Sequence, residues 1–473
     1  MAKKTLVMKF GGSSVGSPEA MAQVVAIVKQ QQPQWKNLIV VTSALAGVTN
    51  RLLKSAAQAA TGDIQTYQQN AQQFLDEHMA IANHLVTNAK VRFALKHELE
   101  QLIQEFTNLC HAIEILGEAS PRALDAVAAL GERLAVRVLA AGLDAAGVGS
   151  RPVEATRLIS TDDCFQDAHP EMSATRLRAQ RELIPLLSTG KVPVVTGFIA
   201  STPTGVTTTL GRGGSDFSAA ILGVVLEADE VWIYTDVDGV MSADPRLTPE
   251  AHTIDHLSYR EVAELAYFGA RVLHPKSIRP VIEAGINLRV LNTFNPTNSG
   301  TLILADPNGQ TGDRTSEQIK AVTVIRSQRL VTVEGRGMLG VPGVAARTFS
   351  AVAATGTSVP LITQASSEQS ICFAVPSNAI QRVLGELAAS FEVELARRDI
   401  DRIWSTEEVV IITIVGAGMR STPGIAGRIF TALGQQEVNV IAIAQGSSEV
   451  SISVVVDALD MQIALNAIHG LIA

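Results

Sequence analysis

The sequence predicts a three-layer α/β domain with a mainly parallel sheet, followed by two ferredoxin-like βαββαβ modules. Two observations carry this prediction. Short apolar, β-branched runs alternate with longer helical stretches through about residue 305, an alternation typical of a parallel sheet covered by helices. Beyond that point, one stretch of sequence occurs twice. The 473 residues, 47% of them hydrophobic, are enough for roughly two to four domains.

The first domain is predicted to span residues 1–305. Its predicted strands are uninterrupted apolar runs, as expected for strands buried on both faces. They cover residues 5–10, 38–42, 192–199 and 231–235. The predicted helices cover residues 19–29, behind a Ser17-Pro18 start, and a long region over about 50–145 that contains few glycines.

A polar segment over residues 305–316, which contains Gly and Pro, indicates the domain boundary. Beyond it, a constant offset of 81 residues pairs Met338 with Met419 and Gln364 with Gln445, without a gap between them. Such a repeat predicts two copies of one small fold. We place the copies at residues 318–400 and 401–473, and they can interleave. Each reads as strand, turn, helix, strand, turn, strand and helix.

Composition excludes several classes of protein. The net charge of −8 argues against nucleic acid as a partner. The three cysteines form no C-x-x-C motif, so we expect neither a disulfide framework nor a structural zinc site, and a reducing cytoplasm fits. The N-terminus lacks the apolar core of a signal peptide, and no apolar run approaches about 18 residues, so we expect no membrane partner.

The first chemical motif is Lys9-Phe-Gly-Gly-Ser-Ser, between a predicted strand and a predicted helix. Gly11 and Gly12 would let backbone N–H groups approach phosphate oxygens, and the N-terminus of the next helix favours anions. Lys9 adds a positive charge. The motif is neither a Walker loop nor a Rossmann fingerprint. A simple tight turn is the alternative interpretation.

The second motif is Thr208-Thr-Leu-Gly-Arg-Gly-Gly-Ser-Asp-Phe-Ser, which leads into a helix from Ser215. Arg212, between glycines, could grip a carboxylate through two hydrogen bonds. Asp216 could orient an ammonium group, a metal or Lys9. Alternatively, Ser215 or Asp216 is a simple N-cap.

The third motif follows the strand at 231–235 and contains Asp236, Asp238 and Asp244. Ligands of open α/β sheets lie beyond the carboxyl ends of the strands, although Asp and Gly are also ordinary turn formers. The motif does not indicate a metal site made of protein ligands alone. We expect Mg²⁺ to arrive with nucleotide phosphates.

Four single residues are weaker candidates. Ser43 and Thr49 follow the second strand. Glu132, in a Gly-Glu-Arg triplet that we expect to open a helical segment, could hold a substrate ammonium, or it could be a first-turn acid favoured by the helix dipole. His274 is interpreted as a hydrogen-bonded packing residue rather than a base.

Together these segments resemble the aspartokinases of the amino-acid-kinase superfamily, and the doubled C-terminal region resembles ACT domains. The resemblance covers nearly the whole chain, through residues 9–14, 41–50, 131–133, 192–198, 208–216, 234–246 and 268–275. It implies transfer of the γ-phosphoryl group of ATP, with Mg²⁺, to the side-chain carboxylate of L-aspartate. It also implies a homodimer through the ACT modules, or a tetramer.

The resemblance implies roles by position. Catalysis would fall to Lys9 and Asp216, and the phosphates would meet Gly11, Gly12, Ser13, Ser43, Gly213 and Gly214. Aspartate would meet Thr49, Glu132, Arg212 and Ser215. The nucleotide would meet Thr235, Asp236, Met241, Arg246, Arg271 and Val272. Met241 and Arg271 depart from the family, which often has Tyr and Lys there.

The resemblance also implies regulation by an amino acid. Gln364 and Gln445, each followed by x-Ser-Ser-Glu, match threonine-sensitive members, with Met338, Ser366 and Ser447 as further regulatory candidates. Lysine is the alternative inhibitor. Otherwise, the two Gln side chains could simply hold loops at a dimer interface.

Two other functions remain open from the sequence. The chain could phosphorylate another acidic compound, such as glutamate or N-acetylglutamate, or it could be a ligand sensor with a degenerate kinase fold. A fusion to homoserine dehydrogenase is not expected, because the sequence ends with the second module.

Overall fold

The computed structural model describes residues 5–269, 273–304, 319–338, 341–364, 369–446 and 450–472. These form two compact units. The first comprises Met1–Val240, Thr253–Tyr259 and Val272–Pro307, and the second comprises Met241–His252, Arg260–Arg271 and Asn308–Ala473. The predicted boundary segment, residues 305–316, lies outside the described residues, so its position stays a prediction.

The strands of the first unit are β1 Thr5–Phe10, β2 Asn37–Thr42, β3 Ser150–Val153, β4 Val192–Thr196, β5 Ile199–Ser201, β6 Thr207–Thr209, β7 Glu230–Thr235, β8 His256–Ser258, β9 Asn287–Asn292 and β10 Thr301–Leu304. The helices up to residue 283 are α1 Gly12–Val15, α2 Pro18–Gln31, α3 Val48–Ala59, α4 Ile64–Leu85, α5 Ala89–Leu116, α6 Pro121–Ala145, α7 Met172–Ser188, α8 Gly214–Val225, α9 Tyr259–Tyr267 and α10 Pro275–Glu283. Most of α9 belongs to the second unit.

Eight strands form the main sheet, in the order β3-β4-β2-β1-β7-β9-β10-β8. Every neighbouring pair is parallel except β9 and β10, so the prediction of a mainly parallel sheet is confirmed. Alternate residues of β1, including Met8 and Phe10, pack into the core formed with helices α2–α6. On the other face, α8 lies so close to β7 that a Cβ on Gly223 would be 2.6 Å from the Val231 side chain.

The predicted single strand over residues 192–199 is wrong in one respect. β4 ends at Thr196, and β5 begins a separate two-stranded antiparallel sheet with β6. Phe198 has a φ of 65°, which no extended strand can accommodate, so the chain turns here.

The prediction that Gly131 opens a helical segment is also wrong. Helix α6 begins ten residues earlier, at Pro121, where the Ser120 side chain accepts a hydrogen bond from the Ala123 N–H. A glycine inside a helix resembles a start signal in sequence, but here it serves packing. A Cβ on Gly131 would lie 2.9 Å from the Ala44 side chain.

The second unit has the strands β11 Ala321–Glu334, β12 Ile362–Gln364, β13 Ser370–Pro376, β14 Arg402–Ser405, β15 Val409–Val415, β16 Ala442–Gln445 and β17 Ser451–Asp457. Its further helices are α11 Val344–Ala354, α12 Ile380–Ser390, α13 Glu392–Arg397, α14 Ile425–Gln435 and α15 Met461–His469.

The structure confirms the internal repeat. Helices α11 and α14 lie 81 positions apart, as do β13 and β17. Both helices begin behind a glycine in the left-handed region, Gly343 with a φ of 92° and Gly424 with a φ of 88°. The first copy has the full βαββαβ order of a ferredoxin-like module, and the second has βαββα in chain order.

The two modules interleave through one long strand. The first part of β11, residues 321–325, pairs with β15, while residues 328–334 pair with β13 and β14. Ser327, with a φ of 53°, lies at the break in register. The first part of β11 therefore completes the second module, and the first module lies within the second along the chain.

Two stretches of the predicted first domain, Met241–His252 and Arg260–Arg271, belong to the second unit. In the first stretch, the Ser242 carbonyl accepts a hydrogen bond from the Val322 N–H at 2.8 Å. In the second, buried Glu261 accepts one from the Ala417 N–H at 2.7 Å and forms an ion pair with Lys320. None of the described helices is both long and apolar enough to cross a membrane.

Candidate active site

A cavity of about 370 Å³ lies at the carboxyl ends of β1 and β2 in the first unit. Most of the predicted catalytic, phosphate-binding and substrate-binding residues line it. Those residues are Lys9, Gly12, Ser43, Thr49, Glu132, Gly213, Gly214, Ser215 and Asp216. Gly11, Ser13 and Arg212 are beside lining residues in the chain, but they do not line the cavity themselves.

Lys9 and Asp216 form the charged pair of the cavity. Lys9 is near the end of β1, and Asp216 is in the first turn of α8. The Lys9 Nζ and the Asp216 Oδ1 are 2.6 Å apart, and the two side chains are only 11% and 14% exposed. The carboxylate therefore holds the lysine at the strand end, where an anionic ligand could reach it.

The turn between β1 and α1 brings backbone close to this lysine. A Cβ on Gly11 would lie 3.4 Å from the Lys9 Nζ, and a Cβ on Gly12 would lie 3.1 Å from the Ala44 carbonyl. Space is therefore tight at Gly12, whereas a Cβ on Gly11 would make only an ordinary contact with the end of the lysine side chain. Ser13 is exposed, whereas the Ser14 hydroxyl is buried against Thr293 at 2.7 Å.

Glu132 projects from the middle of α6 into the cavity wall. Its Oε1 accepts a hydrogen bond from the Ala44 N–H at 3.2 Å, and its buried Oε2 has no partner among the described residues. Burial raises the pKa of this carboxyl to about 8. The interpretation of Glu132 as a first-turn acid is wrong, because the helix begins at Pro121.

The turn before α8 depends on glycines in the left-handed region, Gly211 with a φ of 73° and Gly213 with a φ of 71°. Gly213 caps α8 without a side-chain hydrogen bond, so the alternative that Ser215 or Asp216 is the N-cap is wrong. Arg212, between the glycines, is exposed and forms no ion pair with the described residues. Its guanidinium can therefore reach a ligand.

Sequence reasoning missed Asp125, which is 1% exposed on α6. Its carboxylate accepts hydrogen bonds from the Gln166 N–H at 3.0 Å and from the Thr209 N–H and hydroxyl at 3.0 and 2.8 Å. It thereby holds the strand that leads into the Arg212 turn. Its spacing of seven residues from Glu132, two helical turns, was the only available signal.

The predicted nucleotide contacts are spread over several segments. Thr235 ends β7, and its hydroxyl donates to the exposed Asp236 at 3.1 Å. Arg246 forms an ion pair with Asp244 at 2.7 Å, and this hydrogen bond lowers the pKa of the Asp244 carboxyl. Met241 is half-buried. Arg271 and Val272 lie outside the described residues.

The cavity fits a phosphate ligand better than a metal held by protein alone. Asp216 is engaged by Lys9, and the raised pKa leaves Glu132 mostly protonated at neutral pH. Among the described residues, the third motif adds no open set of carboxylates, since Asp238 accepts hydrogen bonds from the Asn292 and Asn295 amides. Mg²⁺ would therefore be held mainly by nucleotide phosphates.

The predicted regulatory residues all belong to the second unit. Gln364 ends β12 and Gln445 ends β16, and both are exposed at repeat-equivalent positions. Met338 is buried in the module core. Ser366 and Ser447 lie outside the described residues. His274, outside this set, caps α10 by accepting the Lys276 N–H at 3.3 Å, as expected of a hydrogen-bonded packing residue.

Fold and cavity define an α/β protein with a glycine-lined, lysine-bearing site at the carboxyl ends of its strands, followed by a duplicated ferredoxin-like unit. The profile of the amino acid kinase family matches residues 4–292, and that of the ACT domain matches residues 331–391 and 412–471. The chain therefore belongs to the amino acid kinase family and carries ACT domains.

Its relatives in that family are named as aspartokinases. The chain is 37% identical over 469 residues to the bifunctional aspartokinase/homoserine dehydrogenase 1 of Arabidopsis thaliana, covering 98% of this chain and 50% of that one. It thus spans about half the length of the bifunctional relatives it matches. It is 30% identical to the aspartokinase of Schizosaccharomyces pombe, covering 99% of this chain and 92% of that one.

Solved structures give the same family. Aspartokinase III of Escherichia coli in complex with aspartate and ADP superposes with a TM-score of 0.78 at 28% identity, covering 99% of both chains. The complex of that enzyme with lysine and aspartate also has a TM-score of 0.78, at 29% identity and with the same coverage.

Proposed function

We propose that this chain is an aspartate kinase, which converts ATP and L-aspartate into ADP and 4-phospho-L-aspartate. One observation carries the proposal most directly. A single cavity holds Lys9, suited to a phosphate, and the unpaired buried oxygen of Glu132, suited to an ammonium group. The aspartokinase relatives and the aspartate–ADP complex of a structural neighbour support the same reaction.

The reaction needs no general base in this protein. The side chain of aspartate has an ordinary pKa of about 3.9, so it is already a carboxylate at pH 7. One of its oxygens forms a bond to the γ-phosphorus while the bond from that phosphorus to the bridging oxygen of ADP breaks. The protein has to align two anions and offset the charge between them, and Mg²⁺ on the nucleotide would offset part of it.

Each end of the amino acid has a suitable group. The Oε2 of Glu132 would accept a hydrogen bond from the substrate ammonium, which would also offset the cost of burying an unpaired carboxylate. Arg212 would form two parallel hydrogen bonds with the α-carboxylate. Thr49 and Ser215, also on the cavity wall, would position the side-chain carboxylate against Lys9.

The two runner-up functions use the same cavity. A kinase of glutamate or N-acetylglutamate would share the phosphate side, but an acetylated amine would leave Glu132 without a cation. A sensor that binds nucleotide without turnover would not require the Lys9–Asp216 pair. The relatives named as aspartokinases favour the enzyme and aspartate over both.

We also propose that the ACT modules make the enzyme sensitive to an amino acid, and that this amino acid is threonine. The exposed Gln364 and Gln445 provide equivalent donors and acceptors at two strand ends. Lysine is the alternative, since a structural neighbour was solved with lysine. The effector has to bind the less active state more tightly, because equal affinity for both states shifts nothing. The 4-phospho-L-aspartate made by this activity would supply the biosynthesis of lysine, threonine and methionine.

The deciding experiment is acyl-phosphate formation in the presence of ATP and Mg²⁺, with the product trapped by hydroxylamine. Aspartate, glutamate and N-acetylglutamate are compared as acceptors. Each is assayed alone, in the presence of threonine and in the presence of lysine. We expect product from aspartate alone, with suppression by threonine. Product from another acceptor would reassign the substrate, and nucleotide binding without product from any acceptor would select the sensor.

A further inference from the structure

A group of metal-ligating side chains lies outside the cavity. In the loop between β3 and α7, the ligand atoms of Asp162, Cys164 and His169 all lie within 4.8 Å of one another, and all three residues are exposed. Within the described ranges, no other group of three His, Cys, Asp or Glu side chains comes this close together.

The loop is closed and held in shape by its own backbone. The Asp162 N–H donates to the His169 carbonyl at 3.1 Å, and the Asp167 N–H donates to the Cys164 carbonyl at 3.2 Å. The loop is also fastened to the unit, since the Ala168 N–H donates to the Thr209 carbonyl at 2.9 Å. The three side chains therefore project from a defined backbone.

The carboxylate of Asp162 is already oriented as a ligand. Its Oδ1 accepts hydrogen bonds from the N–H groups of Cys164 and His169, at 3.3 and 2.9 Å. The other oxygen, Oδ2, lies 3.2 Å from the Nδ1 of His169. Hydrogen bonds to the far oxygen of a carboxylate commonly fix metal ligands in this way.

The spacing of the ligand atoms suits a tetrahedral ion. Bonds of about 2.0–2.3 Å from Zn²⁺ to N, O and S ligands place neighbouring ligands about 3.3–3.8 Å apart in a tetrahedron. The pair of Asp162 and His169 is already near that separation. The Cys164 thiol lies within 4.8 Å of both ligand atoms, so it has to move closer by about 1 Å to reach this spacing.

We propose that Asp162, Cys164 and His169 form a tridentate site for a borderline divalent cation of the Zn²⁺ class, with water as the fourth ligand. Thiolate and imidazole select such ions over Mg²⁺ and Ca²⁺, which prefer oxygen. On binding, the thiol proton passes to solvent and the sulfur forms the metal bond. Sequence patterns miss this site because it contains one Cys and one His rather than Cys pairs.

The test uses the metal-stripped full chain titrated with Cd²⁺, whose thiolate complexes absorb in the ultraviolet, and with Zn²⁺ by calorimetry. We expect one ion per chain, a thiolate band, and no competition from millimolar Mg²⁺. Cys164→Ser should abolish the band. Asp162→Asn and His169→Gln should each weaken Zn²⁺ binding about tenfold or more. These side chains are exposed, so the variants should unfold at the wild-type temperature.

Cys110→Ser and Cys372→Ser are the matched controls, and both should keep the band. A band that persists in Cys164→Ser would place the thiolate elsewhere and overturn the proposal. Wild-type Zn²⁺ affinity in both Asp162→Asn and His169→Gln would overturn it as well, because the ion would then bind without these ligands.

Discussion

At the scale of single residues, the cavity contains two buried ionisable groups, one with a counter-ion and one without. Lys9 has its counter-ion in Asp216, 2.6 Å away. Glu132 has one backbone donor, and burial raises the pKa of its carboxyl to about 8. A buried ionisable group without its full set of partners is costly to the fold, so such groups are characteristic of functional sites.

Replacing Lys9 by Ala is expected to lower kcat by about 100-fold or more, since a positioned charge on the transferred phosphoryl group would be lost. Steady-state kinetics of acyl-phosphate formation measure the effect. Lys29→Ala is the matched control, because Lys29 is exposed on α2 and should leave kcat unchanged. Near-normal turnover in a folded Lys9→Ala protein would remove Lys9 from the proposed site.

Glu132 makes aspartate binding depend on pH. With a pKa of about 8 in the free protein, the carboxyl has to lose its proton before it can pair with the substrate ammonium. The KM for aspartate should therefore fall as pH rises from 6 to 8 and then level off. Glu132→Gln should raise the KM and flatten this profile; a profile unchanged from wild type would argue against the pairing.

The Glu132 carboxyl should also make the stability of the fold depend on pH: a rise in pH favours aspartate binding but disfavours the folded state. Its folded-state pKa is raised above the ordinary 4.5, so the folded state binds more protons than the unfolded one between about pH 4.5 and 8. Wild-type stability should therefore fall as pH rises through this window. The free energy of unfolding of Glu132→Gln, measured with denaturant, should rise relative to that of wild type by up to about 1.4 kcal/mol for each pH unit in this window.

At the scale of elements, the site depends on a turn that only glycine accommodates. Gly213→Ala would place a Cβ 2.5 Å from the Ser277 hydroxyl at a φ of 71°, and should lower activity sharply by displacing Arg212 and α8. Gly190→Ala is a matched control, since Gly190 has the same φ but nothing within 4 Å. That control should cost only about 1 kcal/mol of stability and no activity. Equal kinetic losses in the two variants would contradict this account.

Helix α6 should control the Arg212 turn through Asp125. Asp125→Ala leaves the N–H groups of Gln166 and Thr209 without their acceptor, and we expect a rise of tenfold or more in the KM for aspartate, with a smaller change in the KM for ATP. Asp125→Asn keeps one oxygen for those two donors and should restore most of the binding. Equal defects in both variants, with both KM values raised alike, would indicate a general loss of structure instead.

At the scale of the whole molecule, the repeat places two equivalent Gln residues in one unit. Gln364→Ala and Gln445→Ala should each raise the threonine concentration for half-inhibition by about fivefold or more, without changing kcat in its absence. Gln381→Ala, exposed on α12, is the control. If the two variants instead change only the oligomeric state, measured by light scattering, the Gln side chains would be interface residues and not effector contacts.

The stretch Met241–His252, which contains the predicted nucleotide contacts Met241 and Arg246, belongs to the second unit with the ACT modules. Its Ser242 is hydrogen-bonded to Val322 at 2.8 Å and to His469 at 3.0 Å.

The sequence by itself determined the positions of the buried strands β1, β2, β4 and β7, the mainly parallel sheet and the internal repeat. These depend on local periodicity, because a buried strand reads as a short apolar run and a duplication reads as a constant offset. The short sequence motifs likewise brought Lys9, Glu132 and Asp216 forward as candidates, and the structure places all three around one cavity.

Only the tertiary structure determined which distant residues form hydrogen bonds with one another. The Ala44 N–H meets a carboxylate 88 residues away, and Asp125 takes donors from 41 and 84 residues away. The division of β11 between two modules and the position of Gly131 inside α6 were equally hidden. Contacts between distant segments leave no periodic trace in the chain, because they arise from packing that forms only when the whole unit folds.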